Sequence, residues 1–159
     1  MTTSAQPAFG GTSTLSDSNT ARQPTEFDSV KLLRVVRDEV VCWVAEYERA
    51  WRHEDVDAVA NLFTTDAAYR VSPYEPSVRG HDAIKALWLQ DAGRTFSMNA
   101  SVIAVDGDAA VVRVDVVYET PVVEEFKDVW ILRFDSDGRV ADYEEWAYWP
   151  GKTNATPQT

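Results

Sequence analysis

Four charged residues interrupt the β-rich runs in the last third of the chain: Arg113, Asp115, Asp128 and Glu145. A strand that buries one face against a core normally keeps charged side chains off that face. One arginine among three carboxyl groups can keep one carboxylate ionised, while the crowding of like charges raises the pKa of another. The pattern therefore predicts a general acid–base site on these strands.

Two turn signals, Thr120-Pro121 and the segment 135–138, set the expected register of these strands. A tight hairpin at Thr120-Pro121 places Arg113 opposite Asp128, and a four-residue loop at 135–138 places Asp128 opposite Glu145. Under this register one face carries the charged residues together with aromatic ones: Arg113, Asp115, Phe126, Asp128, Trp130, Tyr143 and Glu145.

Two alternatives to this register remain open. A three-residue loop with a glycine bulge would change the parity of the last strand and present Asp142, Glu144 and Trp146 instead. Alternatively, the other side of the first β-rich run faces the core, with Val112, Val114, Val116 and Tyr118. Arg113 and Asp115 would then point to solvent or to a dimer interface. The sequence pattern favours neither possibility over the predicted site.

Length and charge limit the classes of partner. The chain has 159 residues, of which 45% are hydrophobic, enough for one domain with a sizeable core. Its formal net charge of −11 argues against binding to nucleic acid or to an anionic membrane surface. No apolar run approaches the roughly 18 residues that span a bilayer, and no secretory signal begins the sequence, so we expect a cytoplasmic protein.

The order of predicted elements indicates an α+β fold. Residues 1–28 and 151–159 read as flexible tails, and 29–150 as one domain. The domain begins with an amphipathic helix over 29–52, and a short helix, a short strand and a third helix follow it. Four antiparallel strands complete the chain. We expect a curved antiparallel sheet wrapped around the helices, which forms a cone with an apolar pocket at its mouth.

The whole ordered part of the chain resembles the nuclear transport factor 2-like superfamily, in its SnoaL-like branch. The residues that carry the resemblance are AEYERAWRHEDVDAVANLFTTDAAYRVSPYE, then RGHDAIKALW, then VWILRFDSDGRVADYEEW. This superfamily contains isomerases, cyclases, dehydratases, epoxide hydrolases and non-enzymatic binders, so the resemblance specifies fold more closely than reaction. A homodimer is what it implies for assembly.

Two enzymatic branches can be compared by position. Arg113-Val114-Asp115 matches the Arg-x-Asp strand motif of limonene-epoxide hydrolase, and that family's second catalytic aspartate falls on Glu145. The tryptophan that neighbours this aspartate in the family falls on Tyr143. The family's tyrosine before the loop falls approximately on Tyr69. The asparagine that helps to hold its water falls on Val71 or Ser72, so this partner is missing. These matches imply that one carboxyl protonates an epoxide oxygen while the other deprotonates water.

The chain is also similar to ketosteroid isomerase. Tyr47 falls where that family keeps its oxyanion tyrosine, and its oxyanion aspartate falls near Asp128 or on Trp130. The catalytic base of that family is replaced by Ser72, beside Pro73. The isomerase mechanism therefore lacks one of its groups in this chain.

Together these observations predict a cofactor-independent acid–base enzyme, of epoxide hydrolase, isomerase or cyclase type, that acts on an apolar, oxygenated small molecule. Asp115 and Glu145 are the predicted acid–base pair and Arg113 the residue that orients them; the predicted substrate-binding residues are Tyr47, Tyr69, Asp128, Trp130 and Tyr143. No metal site is expected, because His53 and His81 are the only histidines and lie far apart in the sequence. The alternative is a non-catalytic ligand-binding or dimerisation module of the same fold.

Overall fold

The computed structural model describes residues 34–151. The predicted N-terminal tail and most of the C-terminal one lie outside this range. The helical elements are α1 (Arg37–Arg52), a 3-10 turn (Val56–Ala58), α2 (Val59–Leu62), α3 (His81–Trp88) and a second 3-10 turn (Leu89–Asp91). The strands are β1 (Phe63–Arg70), β2 (Val78–Arg79), β3 (Thr95–Asp106), β4 (Ala109–Thr120), β5 (Glu124–Phe134) and β6 (Val140–Tyr148).

Helix α1 supplies one stripe of buried side chains to the core: Val40, Trp43, Val44, Tyr47 and Ala50. These positions recur every three or four residues, as the amphipathic pattern predicts. The helix begins at Arg37, later than predicted, because the Val36 backbone N–H donates to the Glu39 carboxylate at 2.9 Å and so caps the first turn. Residues 34–36 precede it without helical structure.

The six strands form one curved, open sheet in the order β2-β1-β6-β5-β4-β3. The four antiparallel strands β3 to β6 were predicted, and the α+β fold class is confirmed. Strand β1 pairs in parallel with β6, which places Tyr69 beside Tyr143. The parallel pair was not predicted, because partners so far apart in sequence leave no local signal. Strand β2 was not predicted either, because it has only two residues and lies in a segment that was interpreted as a loop.

The register of β4 against β5 differs from the predicted one by one residue. Val114 lies opposite Asp128 and Val112 opposite Trp130, whereas we had placed Arg113 opposite Asp128. A slip of one residue moves every side chain of a strand to the other face. Strand β4 therefore turns its valine side to the core, and Val112, Val114 and Val116 are each at most 1% exposed.

The physical reason for this register is burial. Each valine that leaves water contributes roughly 1.5 to 3 kcal/mol. The predicted register would instead bury Arg113 and Asp115, and burying charged groups costs several kcal/mol for each ion unless the pairing is very good. The three valines outweigh the charged pair, so the second of the two alternatives above is the one that the chain adopts.

Candidate active site

A cavity of about 280 Å³ lies between α1, α3 and the concave face of the sheet. Its inner wall is aromatic and buried, with Tyr47, Tyr69, Trp130 and Tyr143 each at most 4% exposed. The remaining lining residues come from α1, α3 and the strands: Trp51, Val71, Leu87, Trp88, Asp91, Arg94, Val116, Tyr118, Phe126, Asp128, Glu145 and Ala147. A mainly aromatic wall with a few polar groups is typical of a small-molecule site.

Two carboxyl groups project into this cavity from neighbouring strands. Asp128 on β5 is 4% exposed, and its Oδ1 atom has no hydrogen-bond partner among the described residues. Glu145 on β6 lies opposite Trp130, two pairs along the ladder from Asp128 and therefore on the same face, and is partly buried. The two carboxyl groups are close enough to interact by charge and by hydrogen bonding, and each changes the pKa of the other. Because two ionised carboxylates on neighbouring strands repel each other, the pair holds one proton more readily than none.

The pKa values of the pair are displaced in the same direction. Burial is the main cause that raises the pKa of Glu145 to about 8, and the charge of Asp128 and their hydrogen bond add to it. Burial also raises the pKa of Asp128 to about 6, although its hydrogen bond with Glu145 opposes the rise. Between these two values the pair carries one proton on Glu145 beside an ionised Asp128. One acid and one base therefore coexist near neutral pH.

Three tyrosines form the inner end of the cavity. The hydroxyl groups of Tyr47 and Tyr69 are hydrogen-bonded at 2.7 Å. The ring of Tyr143 stacks on that of Tyr69 with centroids 4.2 Å apart, as the parallel pairing of β1 with β6 requires. Burial raises the pKa of all three hydroxyls, so they stay protonated and act as hydrogen-bond groups without charge.

A polar cluster borders the cavity on the side where α3 ends. The Arg94 guanidinium lies 3.3 Å from the centroid of the Tyr118 ring and pairs with Asp91 at 3.4 Å. It also pairs with Glu124, at the start of β5. The Tyr118 hydroxyl donates to Asp91 at 3.3 Å. These contacts join the chain after α3 to the hairpin of β4 and β5.

The structure does not bring Arg113 and Asp115 into the cavity. Both lie on the outer face of β4, where their side chains are 57% and 39% exposed. There Arg113 pairs with Asp115 at 3.5 Å, and Lys127 approaches Asp115 at 3.8 Å. The predicted face that combined these residues with Asp128 and Glu145 is therefore wrong, and the cause is the one-residue slip of β4.

The predicted face of β5 and β6 is confirmed. Asp128, Trp130, Tyr143 and Glu145 all line the cavity. Their pairing differs by two residues, with Trp130 opposite Glu145, because Phe134 pairs with Val140 and the loop between the strands is longer than predicted. A shift of two residues keeps every side chain on its face. Tyr47 and Tyr69 also lie where the sequence placed them, in the cavity wall.

Sequence reasoning missed Asp91 and Arg94. Both lie just after α3, in a segment whose composition is typical of a helix end, so nothing distinguished them from solvated charges. The signal that could have found the acid pair was Asp128 itself. From Phe126 to Phe134 it is the one charged residue on an otherwise apolar face of β5, and among the described residues it is the only buried charged one.

The hydrogen bond between Tyr47 and Tyr69 gives a stability prediction. Tyr47→Phe should lower the free energy of unfolding by about 1 to 3 kcal/mol, because it leaves the buried Tyr69 hydroxyl without this partner. Urea denaturation followed by tryptophan fluorescence measures the change. Tyr74→Phe is the matched control, since Tyr74 is 95% exposed and its replacement should leave stability unchanged. Equal stability of the two variants would contradict the prediction.

Metal-binding and membrane-spanning features were also sought among residues 34–151. No group of three or more His, Cys, Asp or Glu side chains in this part is arranged to hold a metal ion. None of its helices is both long and apolar enough to cross a membrane.

Three solved structures show the same fold at low sequence identity. An epoxide hydrolase from M. tuberculosis, described as limonene-epoxide hydrolase-like, is 20% identical with a TM-score of 0.56, and the match covers 70% of this chain and 84% of that one. A ketosteroid isomerase assigned in Kribbella flavida is 16% identical with a TM-score of 0.57, and the match covers 76% of this chain and 84% of that one. A SnoaL-like polyketide cyclase assigned in Shewanella putrefaciens is 13% identical with a TM-score of 0.61, and the match covers 70% of this chain and 80% of that one.

A search of curated protein sequences finds no match. The sequence profile of the SnoaL-like domain matches residues 44–143, which include α1 from its middle onward, α3, and the strands as far as Tyr143. The matched segment is more than half of the chain and contains the tyrosines and Asp128 of the cavity wall. The chain belongs to the SnoaL-like domain family.

Proposed function

We propose that this SnoaL-like protein is a cofactor-independent acid–base enzyme whose catalytic pair is Asp128 and Glu145. The observation that carries the proposal is the pair itself: two interacting carboxyl groups on neighbouring strands, with raised pKa values, in the wall of an aromatic cavity. Displaced carboxyl pairs of this kind supply an acid and a base at the same pH. Asp128 and Glu145 thus replace the pair of Asp115 and Glu145 expected from the sequence.

The proposed reaction is proton transfer on an apolar, oxygenated substrate. Glu145 donates its proton to a substrate oxygen, such as that of an epoxide or a carbonyl group. Asp128 accepts a proton from the attacking water or hydroxyl, or from a carbon next to the carbonyl. Tyr47, Tyr69 and Tyr143 bind the apolar part of the substrate against the inner wall. Solved relatives described as an epoxide hydrolase, an isomerase and a cyclase support this range of reactions.

The proposal is tested by a turnover screen with small epoxides and cyclic enones at pH 7. Product formation by gas chromatography, in the presence of a chelator, is the expected result. Activity that disappears in Asp128→Asn but survives in Asp115→Asn supports the proposed pair. Turnover that Asp128→Asn leaves unchanged would overturn the assignment.

The pH profile of the same reaction is a second prediction. The rate constant kcat/KM should follow a bell with limbs near pH 6 and pH 8, because activity needs Asp128 ionised and Glu145 protonated. Activity is lost below the lower limb as Asp128 gains a proton, and above the upper limb as Glu145 loses one. A profile that is flat from pH 5 to pH 9, an interval of about two pKa units on each side of neutrality, would contradict the assignment.

A non-catalytic ligand-binding module is the second candidate function. The cavity favours it as well, since its aromatic wall would bind an apolar molecule without any reaction. Ligand binding without turnover of any member of the screen would support this reading over catalysis.

Two further properties remain proposals. A homodimer is supported by exposed apolar side chains on the outer face of the sheet, where Val129 and Trp146 are each 39% exposed and Tyr148 is 37% exposed. Sedimentation equilibrium measures the assembly, and a monomer at micromolar concentration would contradict the proposal. A cytoplasmic location stays a prediction from the sequence.

A further inference from the structure

The cavity lining has more acidic than basic side chains. Asp91, Asp128 and Glu145 all line it, and Arg94 is the one cationic side chain of its described lining. The charge of Arg94 is already compensated, because it pairs with Asp91 and with Glu124. The carboxyl pair of Asp128 and Glu145 therefore has no cationic partner in the cavity wall. The net charge of −11 on the whole chain further attracts cations.

Four buried polar atoms of the cavity wall lack hydrogen-bond partners among the described residues. Two of them are the indole N–H groups of Trp88 and Trp130, which donate, and the other two are acceptors. One is Oδ1 of Asp128, in a residue that is 4% exposed. The other is the hydroxyl of Tyr143, a residue that is 1% exposed; it lies near the Tyr47 hydroxyl but outside hydrogen-bond geometry. Both atoms can accept a hydrogen bond. Because an unpaired buried acceptor destabilises the fold, a donor in the cavity would recover that free energy.

The aromatic wall favours a positively charged donor. The rings of Tyr47, Trp130 and Tyr143 lie within 6 Å of one another, with centroid separations of 4.9 Å, 5.5 Å and 5.9 Å. The faces of aromatic rings attract ammonium groups, and the attraction is stronger where water is excluded. Carboxylate oxygens, a phenol oxygen and ring faces together form the environment that recognises a substituted ammonium group.

We infer that the cavity binds lipophilic amines in their protonated form, with the ammonium group between Asp128 and Glu145 and the hydrocarbon part against the aromatic wall. The inference rests on the same carboxyl pair as the proposed function but does not require turnover. The ammonium group takes the place of the proton that the pair shares. Its N–H groups donate to the two carboxylates, and the displaced proton leaves to the solvent, so charge is conserved.

The charged and titratable groups around the pair set the pH dependence. Those that face it are Asp91 and Arg94 after α3, Tyr118 on β4, Tyr143 on β6, Tyr47 on α1 and Tyr69 on β1. Asp115 acts on Asp128 only through its charge, from the outer face of β4. The tyrosines stay neutral, and Asp91 adds negative charge to the cavity wall, which raises the affinity for a cation. Amine binding should therefore strengthen from pH 6 to pH 8, as the pair loses its proton in the free protein.

The test compares three probes of one shape: 2-aminoindane, indan-2-ol and indane-2-carboxylate. Isothermal titration calorimetry at pH 7 on the full chain should give an affinity for the amine at least about tenfold above that for the alcohol. The carboxylate should show no binding. In buffers of different ionisation enthalpy, the amine should release about one proton on binding, and the alcohol none. Equal affinities for amine and alcohol, or amine binding without proton release, would overturn the inference.

Two variants locate the released proton. Glu145→Gln should still bind the amine through Asp128, but without proton release, whereas Asp115→Asn should behave as the wild type. Proton release that persists in Glu145→Gln would assign the amine to another place and overturn the inference. Since the wild-type comparison of three probes stands alone, the inference stays testable if this variant does not fold. Amine binding without turnover of any epoxide or enone would refute only the proposed function, and turnover without amine binding only this inference.

Discussion

Replacing Asp128 with asparagine should lower kcat by about 10²- to 10⁴-fold on whichever epoxide or enone the wild type converts. The substitution keeps the shape of the side chain but removes the only group of the pair that is ionised at pH 7. Without it, no base remains next to the acid on Glu145. Initial rates at saturating substrate measure the loss, and an unchanged KM would show that binding is retained.

Glu145→Gln should give a loss of similar size, because the amide cannot donate a proton to the substrate oxygen. The two losses should not add in the double variant, since the acid and the base act in one step. Asp115→Asn is the matched control: it makes the same change on the outer face of β4 and should leave kcat within about twofold. A loss in Asp115→Asn as large as in Asp128→Asn would restore the pair expected from the sequence.

Asp128→Asn should also stabilise the fold at alkaline pH. The pKa of Asp128 is raised from 3.8 to about 6 in the folded protein, so the folded state holds this proton more tightly than the unfolded chain does. The contribution of this proton to the free energy of unfolding is fully present below pH 4 and is lost as the pH rises through 6. The raised pKa of Glu145 extends the loss of stability through pH 8. Relative to the wild type, the variant should therefore gain about 3 kcal/mol between pH 4 and pH 8.5.

Chemical denaturation at a series of pH values measures this gain. Asp142→Asn is the control, because it makes the same change at an exposed position on the outer face of β6, outside the carboxyl pair. A wild type as stable as Asp128→Asn at pH 8.5 would show that burying the ionised Asp128 does not destabilise the fold. Together with the expected loss of turnover, a gain would mean that the fold tolerates an unfavourable pair that the reaction requires.

The elements of this protein could be predicted from local patterns. The helical spacing of Val40, Val44 and Tyr47 reflects the 3.6-residue period of α1, and the alternation along β4 to β6 reflects the period of two. Both periods are properties of short segments, so no partner is needed to find them. The face that joins Trp130 to Tyr143 was predicted for the same reason, although its pairing was two residues off.

The acid–base pair was decided by packing between segments. The alternation of β4 gave two faces, with Val114 on one and Asp115 on the other, and local pattern did not settle which side would be buried. The gain from burying three valines settled it, and that gain exists only when α1 and the sheet enclose a common core.

The sequence by itself determined the SnoaL-like fold, the aromatic wall and the inward face of β5 and β6. Only the tertiary structure decided that Asp128, rather than Asp115, is the neighbour of Glu145 in the cavity. It also brought Asp91 and Arg94 to the cavity and joined Tyr69 to Tyr143 across a parallel strand pair. The physical reason is that register and long-range pairing depend on burial summed over the whole core, which short-range periodicity does not contain.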